Sequence, residues 1–100
     1  METSILFSGT YATGKTLLLR TLISRHNKSI VKEVSPEAFL SLSSDKFNSK
    51  FIYVLDEVVE SSQLVAINKI VSDFGLTVYA STQLKSEIPE ISKFSVFFLH

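Results

Sequence analysis

The feature of this sequence that most constrains its fold is a loop bounded by two glycines. It lies between a short apolar run, residues 5–7, and a helical pattern, and it fits G-x-x-x-x-G-K-[ST] through Gly9, Gly14, Lys15 and Thr16. Glycine has no Cβ, so such a loop can adopt positive φ and turn several backbone N–H groups toward one anion. The helix that begins at Lys15 adds the positive end of its dipole. The pattern therefore predicts a phosphate-binding loop.

The individual positions of this loop predict a nucleoside triphosphate bound with its metal ion. Lys15 can reach the β and γ phosphates, and the Thr16 hydroxyl can ligate Mg²⁺. The whole loop is expected to contact the phosphates. Its residues are Gly9, Thr10, Tyr11, Ala12, Thr13, Gly14, Lys15 and Thr16.

Apolar patterning along the rest of the chain predicts an α/β domain. Runs typical of buried or edge strands cover residues 4–8, 29–34, 51–55, 76–80 and 94–99. Helical patterns cover residues 15–26, 36–42 and 62–74, the last of them ended by Gly75. Strands that alternate with helical crossovers favour a mainly parallel sheet. At 100 residues, the chain is expected to form one domain, residues 1–100.

A second group of polar residues follows two of these strands. Asp56 and Glu57 come directly after the apolar run 51–55, and residues 81–83, Ser-Thr-Gln, come after the run 76–80. Because ligands of parallel sheets bind beyond the carboxyl ends of the strands, we expect these residues to share one site with the loop. Asp56 would then ligate the metal, and Glu57 would orient and deprotonate a water for attack on the γ phosphate. Alternatively, the acidic pair only solvates a strand end or caps the next helix.

These residues resemble a family of ATPases. Gly9 to Thr16 is similar to the Walker A motif, and residues 51–57 to Walker B with the extra glutamate of the ASCE division of P-loop NTPases. Residues 81–83, the following segment 86–91 and the closing apolar strand resemble the FtsK/HerA-type DNA pumps, which include viral genome-packaging ATPases. The resemblance implies a five-stranded sheet in the order 5-1-4-3-2. It also implies that Gln83 senses the γ phosphate, beside Lys15 and Glu57 as catalytic residues.

The resemblance implies Mg-dependent ATP hydrolysis that powers DNA translocation or packaging, in a homo-oligomer or larger complex. Such pumps take an arginine from a neighbouring subunit, and no arginine finger can be assigned here because the chain has only Arg20 and Arg25, both after the loop. A nucleotide switch, or an ATPase subunit acting with a partner, is the alternative. A small-molecule or nucleotide kinase is less favoured because the chain has no second arginine cluster for a lid.

The amino-acid composition also limits which classes of protein this chain can belong to. Ten basic and ten acidic residues leave no net charge, so there is no global signature of nucleic-acid binding. The absence of cysteine excludes a disulfide framework and a thiolate metal site. No stretch approaches the roughly 20 apolar residues of a membrane span. We therefore expect no membrane insertion and a soluble cytoplasmic protein, in the host cytoplasm if the source is viral.

Overall fold

The computed structural model of the chain describes residues 3–9, 14–84 and 88–99. Within these residues it contains five strands: β1 (Ser4–Ser8), β2 (Val31–Glu33), β3 (Ile52–Val58), β4 (Thr77–Thr82) and β5 (Phe94–Phe98). It also contains three α-helices: α1 (Lys15–Ile23), α2 (Pro36–Leu40) and α3 (Ser61–Phe74). Single turns of 3-10 helix cover Lys28–Ile30 and Ser44–Lys46. None of the described helices is long and apolar enough to cross a membrane.

The five strands form one parallel sheet, which confirms the predicted α/β class. Their order is β2-β3-β4-β1-β5, which reads 5-1-4-3-2 from the β5 edge, as the resemblance implies. Parallel neighbours need long crossovers, and here helices α1, α2 and α3 lie within them. This order puts β1 and β4 side by side in the centre, with β3 on the other side of β4. The carboxyl ends of β1, β4 and β3 are therefore adjacent.

Side chains that alternate along the strands divide the core between the two faces of the sheet. On one face Leu19 of α1 packs with Ile52 and Tyr79, and this cluster is small. On the other face a larger cluster joins the sheet to α2 and α3. Its buried members from the two helices are Phe39, Leu64, Ile67 and Val71. The Phe39 ring is fully buried and lies 5.3 Å from the ring centroids of both Phe47 and Tyr53.

Local capping sets where the helices begin and end. The Ser35 hydroxyl accepts a hydrogen bond from the Ala38 N–H at 3.1 Å, so that Pro36 takes the first position of α2. Glu60 and Gln63 form a capping box at the start of α3. Gly75 ends α3 in the left-handed conformation, with φ of 63°. The predicted end of this helix is thereby confirmed.

Several predicted boundaries are wrong. Strand β3 does not end at residue 55 but continues through Asp56 and Glu57 to Val58, and β4 continues through Thr82. The acidic pair therefore lies within a strand, at a shift in its register with β4. Strand β2 has three residues because the Asn27 side chain accepts from the Ser29 N–H and caps a 3-10 turn before it. Helix α1 ends at Ile23, three residues earlier than predicted.

Candidate functional site

The Gly9–Thr16 segment connects the centre of the sheet to α1. The Gly9 N–H donates to the Thr82 carbonyl at 3.1 Å, which extends the pairing of β1 with β4 by one residue. Gly14 is the residue before α1 and has φ of 85°, in the left-handed region that suits glycine. Gly14 thus has the positive φ that a glycine in this pattern permits. The predicted contacts of Thr10, Tyr11, Ala12 and Thr13 lie outside the described residues.

Lys15, the first residue of α1, has a buried side chain, whereas the next residue, Thr16, is exposed. The Lys15 side chain is only 5% exposed, and its Nζ lies 3.3 Å from Oε1 of Glu57. A buried ammonium group needs an opposite charge nearby, and Glu57 supplies it. The structure therefore joins two residues that are 42 positions apart in the sequence and that were predicted to share a site.

The acidic pair lies in a β-bulge. Leu55 is opposite Ala80 and Val58 is opposite Thr82, so Asp56 and Glu57 together face the single residue Ser81. Such an extra residue kinks a strand and re-aims its side chains. Glu57 has φ of 60°, a left-handed conformation that costs a residue with a Cβ about 1–2 kcal/mol. Strain of this kind occurs often at functional sites.

The Ser81 hydroxyl holds both residues of the bulge. It accepts a hydrogen bond from the Glu57 N–H at 2.9 Å and donates one to Oδ1 of Asp56 at 2.6 Å. Ser81 is fully buried, whereas Asp56 is exposed. One side chain on β4 thus bonds the backbone of one acid and the carboxylate of the other.

Gln83, directly after β4, completes the group. Its Nε2 donates to Oε2 of Glu57 at 3.1 Å, while Oε1 of the same carboxylate faces Lys15. The Glu57 carboxylate therefore lies between an ammonium group and an amide donor, and its side chain is 39% exposed. All three residues predicted to be catalytic are in contact through it.

This arrangement provides two kinds of chemistry. A partly exposed carboxylate held by two donors can orient a water and accept its proton. The donors that could hold Mg²⁺, the Asp56 carboxylate and the Thr16 hydroxyl, are hard oxygen ligands, and Mg²⁺ usually takes one or two of these from a protein and others from substrate phosphates. Among the described residues, no group of three or more His, Asp or Glu could hold a metal ion by itself. By chemical type, these two donors suit an ion shared with a phosphate ligand.

Basic side chains collect on a different surface, beside the C-terminal half of α1. The sequence has no acidic residue between Glu2 and Glu33, and within that interval Arg20, Arg25 and Lys28 are exposed. Arg20 pairs with Glu33 at 2.8 Å, and the hydrogen bond and charge of Glu33 raise the pKa of the guanidinium, to which Asp56 adds a smaller effect.

Two cavities adjoin this surface. Arg20, His26 and Lys28 line one of about 460 Å³, and His26 also lines the next, of about 360 Å³, together with Lys50. The His26 ring is held there by a 3.1 Å hydrogen bond to the Tyr79 hydroxyl. Among the described residues that line the larger cavity, Glu33 is the one acid.

Comparisons with known proteins add no family: no family model matches the chain, and no curated protein matches it significantly. Sequence reasoning grouped Ser81 with the strand-end residues but gave it no role. The available signal was a serine directly after the predicted strand 76–80, at the strand end next to the acidic pair.

Proposed function

We propose that this chain binds ATP with Mg²⁺ and hydrolyses it. The observation that carries the proposal is the contact of Lys15, Glu57 and Gln83 at the carboxyl ends of the central strands, next to the glycine-bounded segment. A helix that begins after a left-handed glycine offers free N–H groups to an anion. A lysine, a carboxylate and an amide at that point are the groups that phosphoryl transfer to water uses.

Each residue has a separate task in this proposal. Lys15 leaves Glu57 and neutralises charge on the β and γ phosphates, while the backbone N–H groups at the start of α1 donate to them. Thr16 and Asp56 hold Mg²⁺, which supplies charge stabilisation to the transferred phosphoryl group. Glu57 then orients the attacking water and accepts its proton, and Gln83 keeps the Glu57 carboxylate in position. A P-loop NTPase of the ASCE division has this set of roles.

Two variants test the proposal. Lys15→Ala is expected to abolish detectable heat of Mg-ATP binding in titration calorimetry, and Lys69→Ala, on the exposed surface of α3, serves as the matched control. Glu57→Gln is expected to bind ATP and to lose phosphate release by at least about 100-fold, because the amide cannot take the proton. Wild-type protein without binding heat, or Glu57→Gln with wild-type turnover, would overturn the assignment.

The basic surface beside α1 supports a second part of the proposal, that DNA is the partner on which hydrolysis acts. Phosphate backbones are bound by clustered basic side chains. On this surface Arg20 and Lys28 line one cavity and Lys50 lines the next, and Arg25, beside His26 in the sequence, is exposed. Zero net charge does not prevent such a local cluster, in which Glu33 pairs with Arg20. Translocation or packaging by an oligomer of this chain is the corresponding activity.

The DNA proposal is tested by fluorescence anisotropy with a labelled duplex at increasing salt. The double variant Arg25→Gln, Lys28→Gln should weaken binding about tenfold or more at low salt. The slope of log affinity against log salt concentration should become shallower by about two units, one for each phosphate contact that is lost. The control, Lys69→Gln with Lys93→Gln, removes the same charge from another surface. Phosphate release with and without DNA, and sedimentation with ATP, then distinguish a motor from a nucleotide switch. If the protein stays monomeric with ATP and shows no salt-sensitive DNA binding, the DNA proposal is overturned and the nucleotide switch is the remaining function.

A further inference from the structure

The Ser81 hydroxyl contacts both residues of the acidic pair. Its hydroxyl is fully buried and lies 2.6 Å from Oδ1 of Asp56 and 2.9 Å from the Glu57 nitrogen. A hydroxyl has one proton, which is donated to the carboxylate, and lone pairs, one of which accepts from the amide. Both bonds are therefore satisfied at once, and together they span the bulge.

The bulge leaves Glu57 without a regular ladder position. Asp56 and Glu57 share one partner residue on β4, so one of the two backbone N–H groups lacks the carbonyl that a regular strand offers. The Ser81 hydroxyl takes the place of that carbonyl for Glu57. It thereby holds Glu57 at a φ of 60°, from which its carboxylate reaches both Lys15 and Gln83.

We propose that Ser81 is a positioning residue for hydrolysis: its hydroxyl orients the metal-binding carboxylate of Asp56 and, through the backbone, the water-activating carboxylate of Glu57. This proposal rests on the proposed ATPase function. It differs from the role of Gln83, which contacts the Glu57 side chain directly. Ser81 acts from inside the sheet and touches neither the phosphates nor the water.

The chain offers a matched control. Ser4 is also a buried serine whose hydroxyl accepts from a backbone N–H, that of Val78 at 2.9 Å, near the opposite end of the same strand β4. Ser4→Ala and Ser81→Ala therefore remove the same kind of side chain–backbone hydrogen bond. Only Ser81→Ala also removes a hydrogen bond to a carboxylate of the site, that of Asp56. A comparison of the two variants separates stability from positioning.

Ser81→Ala is expected to lower kcat for ATP about 10- to 100-fold, as loss of groups that orient metal ligands does, with KM for ATP changed less than about threefold. The affinity for Mn²⁺, titrated in the presence of a non-hydrolysable ATP analogue, should fall about tenfold or more because Asp56 is no longer oriented. Ser81→Thr, which keeps the hydroxyl, should recover most of both quantities. Ser4→Ala should change neither.

The outcomes separate the two proposals. If wild-type protein releases no phosphate, the ATPase proposal fails and the role of Ser81 fails with it. If wild-type protein is active and Ser81→Ala has the same kcat and Mn²⁺ affinity as Ser4→Ala, only the positioning role is overturned. Ser81→Cys, which keeps the size but is a weak donor, repeats the test where the alanine variant does not fold. If Ser81→Ala and Ser81→Cys both fail to fold, as measured by circular dichroism, Ser81 is needed for the stability of the sheet and the positioning proposal is overturned.

Discussion

The ion pair between Lys15 and Glu57 makes an unusual prediction about ATP affinity: Glu57→Gln should bind Mg-ATP more tightly than the wild type does. The Lys15 ammonium is paired with the Glu57 carboxylate, 3.3 Å away. A phosphate group must compete for the same ammonium, and the Glu57 charge also repels it. The amide removes the charge but can still accept the hydrogen bond from Gln83.

The size of the effect follows from the distance and exposure of the pair. Two unit charges at this separation attract by about 5 kcal/mol at an effective dielectric constant of about 20. The Glu57 side chain is 39% exposed, so water screens its attraction to Lys15. The Lys15 side chain is only 5% exposed, so its ammonium group depends more on the opposite charge of Glu57. The net free energy of this ion pair should lie between the values typical of exposed and of buried pairs, at about 1–2 kcal/mol. ATP affinity should therefore rise about 5- to 30-fold.

Titration calorimetry with Mg-ATP at low and moderate salt measures this change. The control is Glu33→Gln, which makes the same change in net charge and also breaks an ion pair, that of Arg20 at 2.8 Å, but leaves the pair of Lys15 with Glu57 intact. A long-range charge effect would tighten binding in both variants and would fade at moderate salt. Equal affinities in Glu57→Gln and Glu33→Gln, or weaker binding in Glu57→Gln, would refute the competition argument.

Further predictions concern stability and are measured by denaturant unfolding of each variant. Gly75→Ala should lower the free energy of unfolding by about 1 kcal/mol because alanine strains at a φ of 63°, and Gly75→Asn should lower it less. Ser35→Ala should lower it by about 1 kcal/mol through loss of the α2 cap, while Thr21→Ala, an exposed hydroxyl on α1, should change it by less than about 0.5 kcal/mol. Phe39→Ala should lower it by about 3–5 kcal/mol because the ring is fully buried between Phe47 and Tyr53. A Phe39→Ala value near that of Ser35→Ala would contradict this account of the core.

The helices and strands could be predicted because strong local sequence signals mark where they begin and end. The apolar run of β3 lacks polar residues, as expected for a strand covered on both faces, and Gly75 marks the end of α3. Boundaries were less predictable where side chains compete with the backbone. Asn27 turns the residues before β2 into a 3-10 helix, and composition alone does not distinguish that turn from the start of a strand.

The candidate site was predictable as a set of residues but not as a geometry. The glycine spacing and the polar residues after two apolar runs indicated which side chains should meet, and Lys15, Glu57 and Gln83 do meet. The bulge was not predictable, because a glutamate carries no local preference for positive φ. Its position depends on Ser81, which lies 24 residues away from Glu57 and acts through tertiary pairing with β4.

The bulge also solves a geometric problem that two adjacent acids create. In a regular strand successive side chains point to opposite faces, so only one of Asp56 and Glu57 could reach the α1 side of the sheet. Here Glu57 contacts Lys15 of α1. Asp56 follows Ile52 by four positions on β3, and Ile52 packs with Leu19 of α1, so Asp56 lies on the α1 side as well. The left-handed backbone at Glu57 thus allows both carboxylates to act on one side of the sheet. The strain at Glu57, the buried hydroxyl of Ser81 and the adjacency of the two acids are therefore parts of one arrangement, and loss of the hydroxyl should disturb both carboxylates together.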